Sequence, residues 1–476
     1  MITFLSCLAL LIVAYFTYGR YLERLAGADP QAATPCRRLY DGVDYVPLPR
    51  WRVFLIQLLN IAGTGPIFGA VLGACFGPVA FLWITLGGIF MGAMHDYLSG
   101  MLLVRNDGLS IPEVVGRYLG GGLRQFMRLF SVLLLVLVGA VFLLSPAQLL
   151  ANIVPSVSVP VWVWIILGYY FVATLLPIDK IIGRVYPLFG VALVAMALGL
   201  LGALLLGDLP IPELTTLRNF QPDARALPIV PTLFITIACG AISGFHATQS
   251  PLMARCVGNE RECRSVFYGA MISESIIALV WAAVAMAFFG GAGELAEALG
   301  AHGGSAAWAV DAVSNGMLGV AGGILALLGV VAAPITSGDT AFRSARLIIA
   351  DMLHLEQRSK YKRFYICIPL FVAGYWITQV DFDVVWRYFA WTNQTLATVV
   401  LWSVTVFLLR RRANVWIGLL PALFMTYVCA SFVFVSNQFL GMENRAAAYA
   451  AGGCVTLAVL VLMIFKLRKE YAKGIS

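Results

Sequence analysis

Five ionisable residues lie inside apolar stretches of the sequence, where a charge is costly to bury: His95, Asp96, His246, Glu274 and Asp339. A histidine titrates near neutral pH and can take up or release a proton. Glu274 lies near the middle of its stretch, so it needs a proton or a partner. As neighbours on one helix, His95 and Asp96 should contact different partners. We expect His95, Asp96 or Glu274 to carry a proton, with interhelical hydrogen bonds or a buried ion pair as the alternatives.

A second group of polar residues follows along the chain: Thr336, Ser337, Asp339 and Thr340. Hydroxyl, carboxylate and freed carbonyl oxygens together make a hard cation site, which would suit Na⁺. Two alternatives remain open. The hydroxyls could bond to carbonyls of their own helix, and Asp339 could pair with Arg343 one turn later.

Two segments carry residues that interrupt a helix. The first reads Asn60-Ile-Ala-Gly-Thr-Gly-Pro66 and the second Ile237-Ala-Cys-Gly-Ala-Ile-Ser-Gly-Phe-His246. Glycine and proline break helices, so we predict that the backbone unwinds at about Ala62–Pro66 and Gly240–Gly244. The amides freed at a new helix start attract a carboxylate. The alternative is that these glycines only allow close helix packing. The residues that we predict to bind a substrate are Ala62, Gly63, Thr64, Gly65, Gly240, Ser243, Gly244 and His246.

Other polar residues suggest further roles inside the protein. Trp391, Asn393 and Gln394 could line a pathway or tie helices together. A metal site made of His95, Asp96 and His246 is an alternative use of those ligand types, but we expect no metal or cofactor apart from Na⁺ as a coupling ion. The sequence contains no HExxH, GxSxG or Walker A motif, so we expect no enzymatic activity.

The elements that position these residues are long apolar segments. The chain of 476 residues is 61% hydrophobic and 12% charged, whereas soluble domains carry about 25% charged residues. Its mean hydropathy is +0.88. The apolar residues recur in segments long enough to cross a bilayer as helices. We place thirteen spans at about residues 1–18, 53–76, 77–104, 124–153, 160–177, 185–207, 229–252, 264–290, 316–342, 364–380, 385–409, 415–436 and 446–466. The first is interpreted as a retained helix rather than a signal peptide.

The basic residues support this order of spans. All but four of the 32 Lys and Arg residues fall in alternate loops and in the C-terminal tail, and the exceptions are Arg218, Arg225, Arg387 and Arg445. Loops on the cytoplasmic side are the ones enriched in Lys and Arg. The N-terminus should therefore lie outside and the C-terminus inside, and the net charge of +8 reflects topology rather than nucleic-acid binding.

The two interrupted segments each open a set of five spans, 53–207 and 229–409. An odd number of spans per set makes the two sets run in opposite directions. Residues 1–52 precede them as one helix and a basic loop, and residues 415–476 follow as two helices and a basic tail. Two inverted sets, each led by a broken helix, are typical of secondary transporters.

Several motifs give the sequence a family resemblance. They are Asp41-Gly-Val-Asp-Tyr-Val-Pro47, Asn60-Ile-Ala-Gly-Thr-Gly-Pro-Ile-Phe-Gly69, Gly92-Ala-Met-His-Asp-Tyr97, Leu233-Phe-Ile-Thr-Ile-Ala-Cys-Gly-Ala-Ile-Ser-Gly-Phe-His246, Pro334-Ile-Thr-Ser-Gly-Asp-Thr-Ala-Phe-Arg-Ser-Ala-Arg346 and Trp386-Arg-Tyr-Phe-Ala-Trp-Thr-Asn-Gln394. With these motifs the chain resembles a short member of the carbon starvation protein A family. That resemblance implies a transporter of peptides or pyruvate that is used on carbon starvation. It also implies membership of the amino acid–polyamine–cation superfamily, with its LeuT-type five-plus-five inverted repeat.

The expected protein is thus an all-α polytopic membrane protein of the bacterial inner membrane. We expect it to transport a small organic solute, a short peptide or a pyruvate-like carboxylate, under a proton or sodium gradient. The alternatives are a channel for ions or solutes, or a metal-binding membrane protein without active transport. Its expected partners are the solute and the lipid bilayer, not nucleic acid.

The charge pattern yields a test of the topology. Reporter fusions placed after residues 104, 252 and 342 should all report a cytoplasmic location, because each of these loops is rich in Arg or Lys. Fusions after residues 76 and 290 should report the opposite side. If any one of the three fusions expected in the cytoplasm were found outside, the predicted order of spans would be wrong.

Overall fold

The structure consists of helices throughout. It is a computed structural model that describes residues 1–42, 44–175, 186–355 and 360–472, and no strand occurs within these ranges. The basic residues Lys180, Arg184, Arg358 and Lys473, which we predicted to face the cytoplasm, lie outside the described residues. The all-α polytopic class predicted from composition is confirmed.

In the first half of the chain, the described residues form ten helices. They are α1 (Ile2–Phe16), α2 (Tyr18–Ala26), α3 (Pro35–Arg38), α4 (Arg50–Ile61), α5 (Thr64–Ala74), α6 (Val79–Arg105, with a π-helical stretch at Trp83–Ala93), α7 (Ile111–Leu119), α8 (Gly121–Ile153), α9 (Val159–Leu175) and α10 (Tyr186–Leu206).

The second half begins with a π-helical turn, Ile229–Leu233. After it come α11 (Phe234–Thr236), α12 (Gly244–Ala254), α13 (Arg264–Phe289), α14 (Ala292–Ala301), α15 (Ala306–Met352), α16 (Lys360–Ile377), α17 (Phe382–Arg410), α18 (Trp416–Val435) and α19 (Arg445–Ala472). α15 extends beyond the predicted span at 316–342 and bends at Gly319, whose φ is +57°.

Helical segments occupy all thirteen predicted positions. Within the described ranges, nine helices are long and apolar enough to cross a membrane by themselves, and the pair α4–α5 makes a tenth span. The other three positions hold the seventeen-residue α9, the interrupted pair α11–α12, and α16, whose first turn is basic. The predicted number of thirteen therefore depends on counting shorter and broken helices as spans.

The first interruption is shorter than the sequence predicted. α4 ends at Ile61 and α5 starts at Thr64, with the two axes bent by 49°. Unwinding was expected to continue to Pro66, but Thr64, Gly65 and Pro66 already belong to α5. The reason is that proline fits the first turn of a helix, where no intrahelical amide bond is lost.

The second interruption is longer than predicted and extends over residues 237–243 between α11 and α12. Gly240 adopts a φ of +90° there, a conformation that glycine reaches without the steric penalty of a side chain. Ser243 is extended, with φ −145° and ψ 127°, and α12 begins with the next residue.

The two interruptions pack against each other inside the protein. A Cβ atom on Gly65 would lie 2.6 Å from the Sγ of Cys239, and a Cβ on Gly240 would lie 2.6 Å from the Cβ of Ala278 and 3.7 Å from that of Pro66. The lack of side chains at these glycines therefore lets the start of α5, the second break and α13 approach closely.

Gly244 provides a test of this packing. A Cβ there would lie 2.4 Å from the carbonyl oxygen of Asn393 and 2.6 Å from the amide nitrogen of Ala397, both backbone atoms of α17. Gly244→Ala should destabilise the protein by about 1–3 kcal/mol, measured as a lower midpoint of thermal unfolding in detergent. Gly168→Ala is the matched control, because nothing lies within 4 Å of its added Cβ. Equal unfolding midpoints for Gly244→Ala and wild type would contradict the packing described.

Candidate functional site

Four of the five predicted ionisable residues form one buried cluster. The Nδ1 atoms of His95 and His246 each lie 2.8 Å from a different carboxylate oxygen of Asp96. On its other side, the Nε2 of His246 lies 3.2 Å from the Oε2 of Glu274. None of these four side chains is exposed to solvent. They form a continuous chain from His95 through Asp96 and His246 to Glu274, which we call the charged cluster.

Three helices bring these residues together. α6 carries His95 and Asp96, α12 carries His246 in its first turn, and α13 carries Glu274. The expectation that His95 and Asp96 need different partners was wrong, because the imidazole of His95 turns back onto the neighbouring carboxylate. Asp96 therefore joins both histidines. The position of His246 depends on the break, since the break sets where α12 starts.

The charged cluster retains unused polar atoms. Within the described residues, the Nε2 of His95, the Nε2 of His246 and both carboxylate oxygens of Glu274 make no hydrogen bond to the protein. The contact between His246 and Glu274 is therefore a close approach of two ionisable groups without good hydrogen-bond geometry. A buried carboxylate in this position is costly unless a proton or a positive charge accompanies it.

A metal ion held by the Nδ1 atoms of both histidines and by the oxygens of Asp96 does not fit these distances. Two ligands on one tetrahedral zinc ion stand roughly 3.3 Å apart, given bonds of about 2.0 Å, whereas the histidine nitrogens lie 2.8 Å from the oxygens of Asp96. That is a hydrogen-bond length. His95, Asp96 and His246 therefore bind one another. Cys239 adds a thiol nearby, since its Sγ and ligand atoms of His246 and Glu274 lie within 4.8 Å of one another.

Asn393 of α17 holds the second break in place. Its Oδ1 accepts hydrogen bonds from the amide of Phe245, at 2.7 Å, and from the hydroxyl of Ser243, at 3.1 Å. It therefore takes the role of a cap for α12. We expected the Ser243 hydroxyl and the amides at this helix start to be free for a carboxylate, but Asn393 occupies two of these donors.

The neighbours of Asn393 also join helices. The Nε2 of Gln394 donates to the carbonyl of Phe234, and the indole of Trp391 donates to the carbonyl of Cys429 in α18. Of the two interpretations of this motif, a tie between helices agrees with the observed contacts.

The hydroxyls of α15 bond mainly to their own helix. Thr336 donates to the carbonyl of Ala333, and Thr340 donates to that of Ser337. Ser337 also donates to Ala333, but it reaches the carbonyl of Leu59 in α4 at 3.2 Å. Only this last contact joins α15 to the first broken helix by a hydrogen bond within the described residues. A sodium site at this place remains a prediction.

Asp339 stands apart from the charged cluster. It pairs with Arg343 at 3.2 Å, which was the alternative considered from sequence. Both residues line a cavity of about 10 Å³ together with Thr174, Arg346 and others. In the part of the chain that the structure describes, no hydrogen bond or ion pair links Asp339 to His95, Asp96, His246 or Glu274.

Near the first break, the structure adds one candidate that the sequence analysis did not single out. Both side-chain polar atoms of Asn60 are buried, and neither makes a hydrogen bond within the described residues. Asn60 lies in α4 shortly before Ala62 and Gly63, the two residues of the break. Thr64 accepts a bond from Ser145 of α8 at 3.2 Å. The sequence does point to Asn60, because it is an amide side chain in an apolar segment beside a predicted interruption.

Comparison with known proteins gives a consistent picture. The family model described as "Carbon starvation protein CstA" matches residues 1–161 and 151–321. An uncharacterized membrane protein of Haemophilus influenzae is 44% identical over 352 residues, which are 63% of this chain and 95% of that protein. The "Peptide transporter CstA" of Bacillus subtilis is 24% identical, with 96% of this chain and 94% of that protein covered.

The "Pyruvate/proton symporter BtsT" of Escherichia coli is 30% identical over 335 residues. The match covers 56% of this chain and 46% of BtsT, so the chain matches about half the length of that relative.

Solved structures show the same fold at low sequence identity. A mutant of the Eremococcus coleocola manganese transporter superposes with a TM-score of 0.51 at 13% identity, and the match covers 89% of this chain and 97% of that one. This similarity concerns the fold alone. It agrees with the LeuT-type architecture predicted from the two interrupted segments.

The cap supplied by Asn393 can be tested by its removal. Asn393→Ala leaves the amide of Phe245 and the hydroxyl of Ser243 without their acceptor, and it should cost about 1–2 kcal/mol of stability. Thermal unfolding in detergent measures the effect. Asn414→Ala is the control, because that side chain accepts from the amide of Trp416 at an exposed position, where water replaces the lost bond. Equal losses in the two variants would argue against a structural role for the buried cap.

Proposed function

Because the chain belongs to the carbon starvation protein CstA family, we propose that it is a secondary active transporter of a small organic solute. The solute is a short peptide or a pyruvate-like carboxylate. Two relatives support this choice, since one is named a peptide transporter and one a pyruvate/proton symporter. The family name also suggests a role under carbon starvation.

The observation that carries the proposal is the charged cluster beside two broken helices. In LeuT-type transporters, substrates and coupling ions bind near discontinuous helices at the middle of the membrane. Here the two breaks pack against each other, and His246, in the first turn after the second break, joins Asp96 to Glu274. A movement of α12 relative to α6 and α13 would therefore change which charges surround His246.

We propose a proton as the coupling ion. Glu274 would be the proton carrier, because its carboxylate is buried and without a hydrogen bond among the described residues. His246 would relay the proton to Asp96, whose second oxygen is held by His95. Sodium is the alternative, and the contact between Ser337 and the carbonyl of Leu59 is the observation in its favour.

We further propose the orientation expected from the loops, in the cytoplasmic membrane with the N-terminus outside and the C-terminus inside. The distribution of arginine and lysine between alternate loops supports it. The solute would cross beside the two breaks, which pack closely against each other in this conformation at Gly65 and Gly240.

Uptake into proteoliposomes tests the proposal. Labelled pyruvate and alanyl-alanine should accumulate under an inward proton gradient, with saturable kinetics, and a sodium gradient alone should have little effect. Glu274→Gln and His95→Gln should reduce gradient-driven accumulation by at least tenfold, because neither side chain can then exchange a proton. Exchange of internal for external solute should persist and serves as the check that the variants are folded.

Glu443→Gln is the matched control, since Glu443 is exposed in the loop before α19. Accumulation at the wild-type level in both cluster variants would remove the protonation role. Flux that does not saturate and ignores the gradient would indicate a channel, and the appearance of hydrolysed dipeptide would indicate an enzyme.

A further inference from the structure

A cavity of about 340 Å³ lies where α5, α11, α14, α17 and α18 meet. Its volume is in the range of small-molecule binding sites. Thr236, the last residue of α11 before the second break, lines it from one side, and Leu72 of α5 lines it from another. The cavity therefore borders the segments that adjoin both breaks, although it does not include the charged cluster.

Two opposite charges from the start of α17 face this cavity. Asp383 and Arg387 both line it, one helical turn apart. That spacing allows an ion pair, yet no oxygen of Asp383 lies within 4.0 Å of a nitrogen of Arg387. Among the described residues, neither side chain makes a hydrogen bond, and the charges of Asp383 and Arg387 attract each other only through space, without direct contact. Each charge is thus left available to a molecule in the cavity.

The other residues that line the cavity offer few further charges. Among the described residues, Arg387 is the only Lys or Arg that lines the cavity, and Asp223, the other carboxylate there, already accepts a bond from the amide of Ala226 at 2.9 Å. Gly304 leaves space for Asp383, since a Cβ on Gly304 would lie 2.9 Å from the Oδ2 of Asp383.

An aromatic wall borders the cavity on the side of α5. Trp386 lines the cavity and packs against Phe68 of α5, with ring centres 6.3 Å apart, and against Phe389, at 5.4 Å. A Cβ on Gly69 would lie only 3.1 Å from the carbonyl oxygen of Thr236 and 3.5 Å from the indole of Trp386. The wall therefore packs closely against α5 and α11.

We propose that the cavity binds a zwitterion, with its carboxylate on Arg387 and its ammonium group on Asp383. A short peptide or a free amino acid has both groups, whereas pyruvate has only the carboxylate and would leave Asp383 without a counter-charge. In our proposal this cavity, which Trp386 borders, is the first binding site of the transported solute. That role rests on the transport function proposed above. Binding itself can be measured without transport.

Isothermal titration of the purified full-length protein tests the assignment with three probes. They are alanyl-alanine, its N-acetyl derivative, which lacks the ammonium group, and its C-terminal amide, which lacks the carboxylate. In the wild type each blocked probe should bind about tenfold more weakly than alanyl-alanine, which is about 1.4 kcal/mol.

The variants assign each end of the ligand to one residue. In Arg387→Gln, alanyl-alanine should weaken about tenfold, and amidation should then cause no further loss. In Asp383→Asn, acetylation should cause no further loss, whereas amidation should still do so. Arg218→Gln is the control, because Arg218 is exposed outside the cavity and lies over the ring of Phe220. It should keep both wild-type ratios.

Two outcomes would overturn the site. One is a wild type that does not bind alanyl-alanine, and the other is a pair of folded cavity variants that both keep the wild-type ratios for the blocked probes. Uptake measured on the same preparations separates this question from the transport function. Binding with the expected ratios but without uptake would contradict transport and retain the site, whereas uptake unaffected by either variant would retain transport and contradict the role of the cavity as the first binding site of the transported solute.

Discussion

The structure depends on how it satisfies the backbone groups that two interrupted helices leave free. In a membrane such groups need partners inside the protein. The indole of Trp83 in α6 donates to the carbonyl of Ile237, Asn393 in α17 accepts from the amide of Phe245, and Ser337 in α15 donates to the carbonyl of Leu59. Each of these contacts fixes a helix of the surrounding bundle against one break.

The same breaks determine the electrostatics of the interior. α12 starts at Gly244, so His246 occupies the first turn of a helix and lies between Asp96 on α6 and Glu274 on α13. Buried ionisable groups are expensive unless they neutralise one another. The charged cluster therefore links the position of α12 to the number of protons on its members. This link between position and protonation is the basis on which we propose proton coupling.

Two regions of different chemistry follow from this arrangement. The charged cluster is fully buried, while the cavity bordered by Thr236, Asp383 and Arg387 is lined by Trp386 and by none of the four cluster residues. The places that we propose for the coupling ion and for the first contact with the solute are therefore separate, as alternating exposure in a transporter of this fold allows. α17 connects them, because it carries Asp383, Arg387 and Trp386 at one end and Asn393 further along.

The sequence by itself determined the class of fold and the places of interruption. Hydropathy gave the segments, because a bilayer imposes a minimum length on each span, and the glycines with Pro66 marked both breaks, because those residue types control the backbone directly. Tertiary structure decided which side chains meet. Asp96 joins His95 and His246, and Asp339 pairs with Arg343 away from them, because such contacts depend on how α6, α12, α13 and α15 pack. The sequence could name the ionisable residues, since burial makes each of them conspicuous, but only the packing of distant helices could assign their partners.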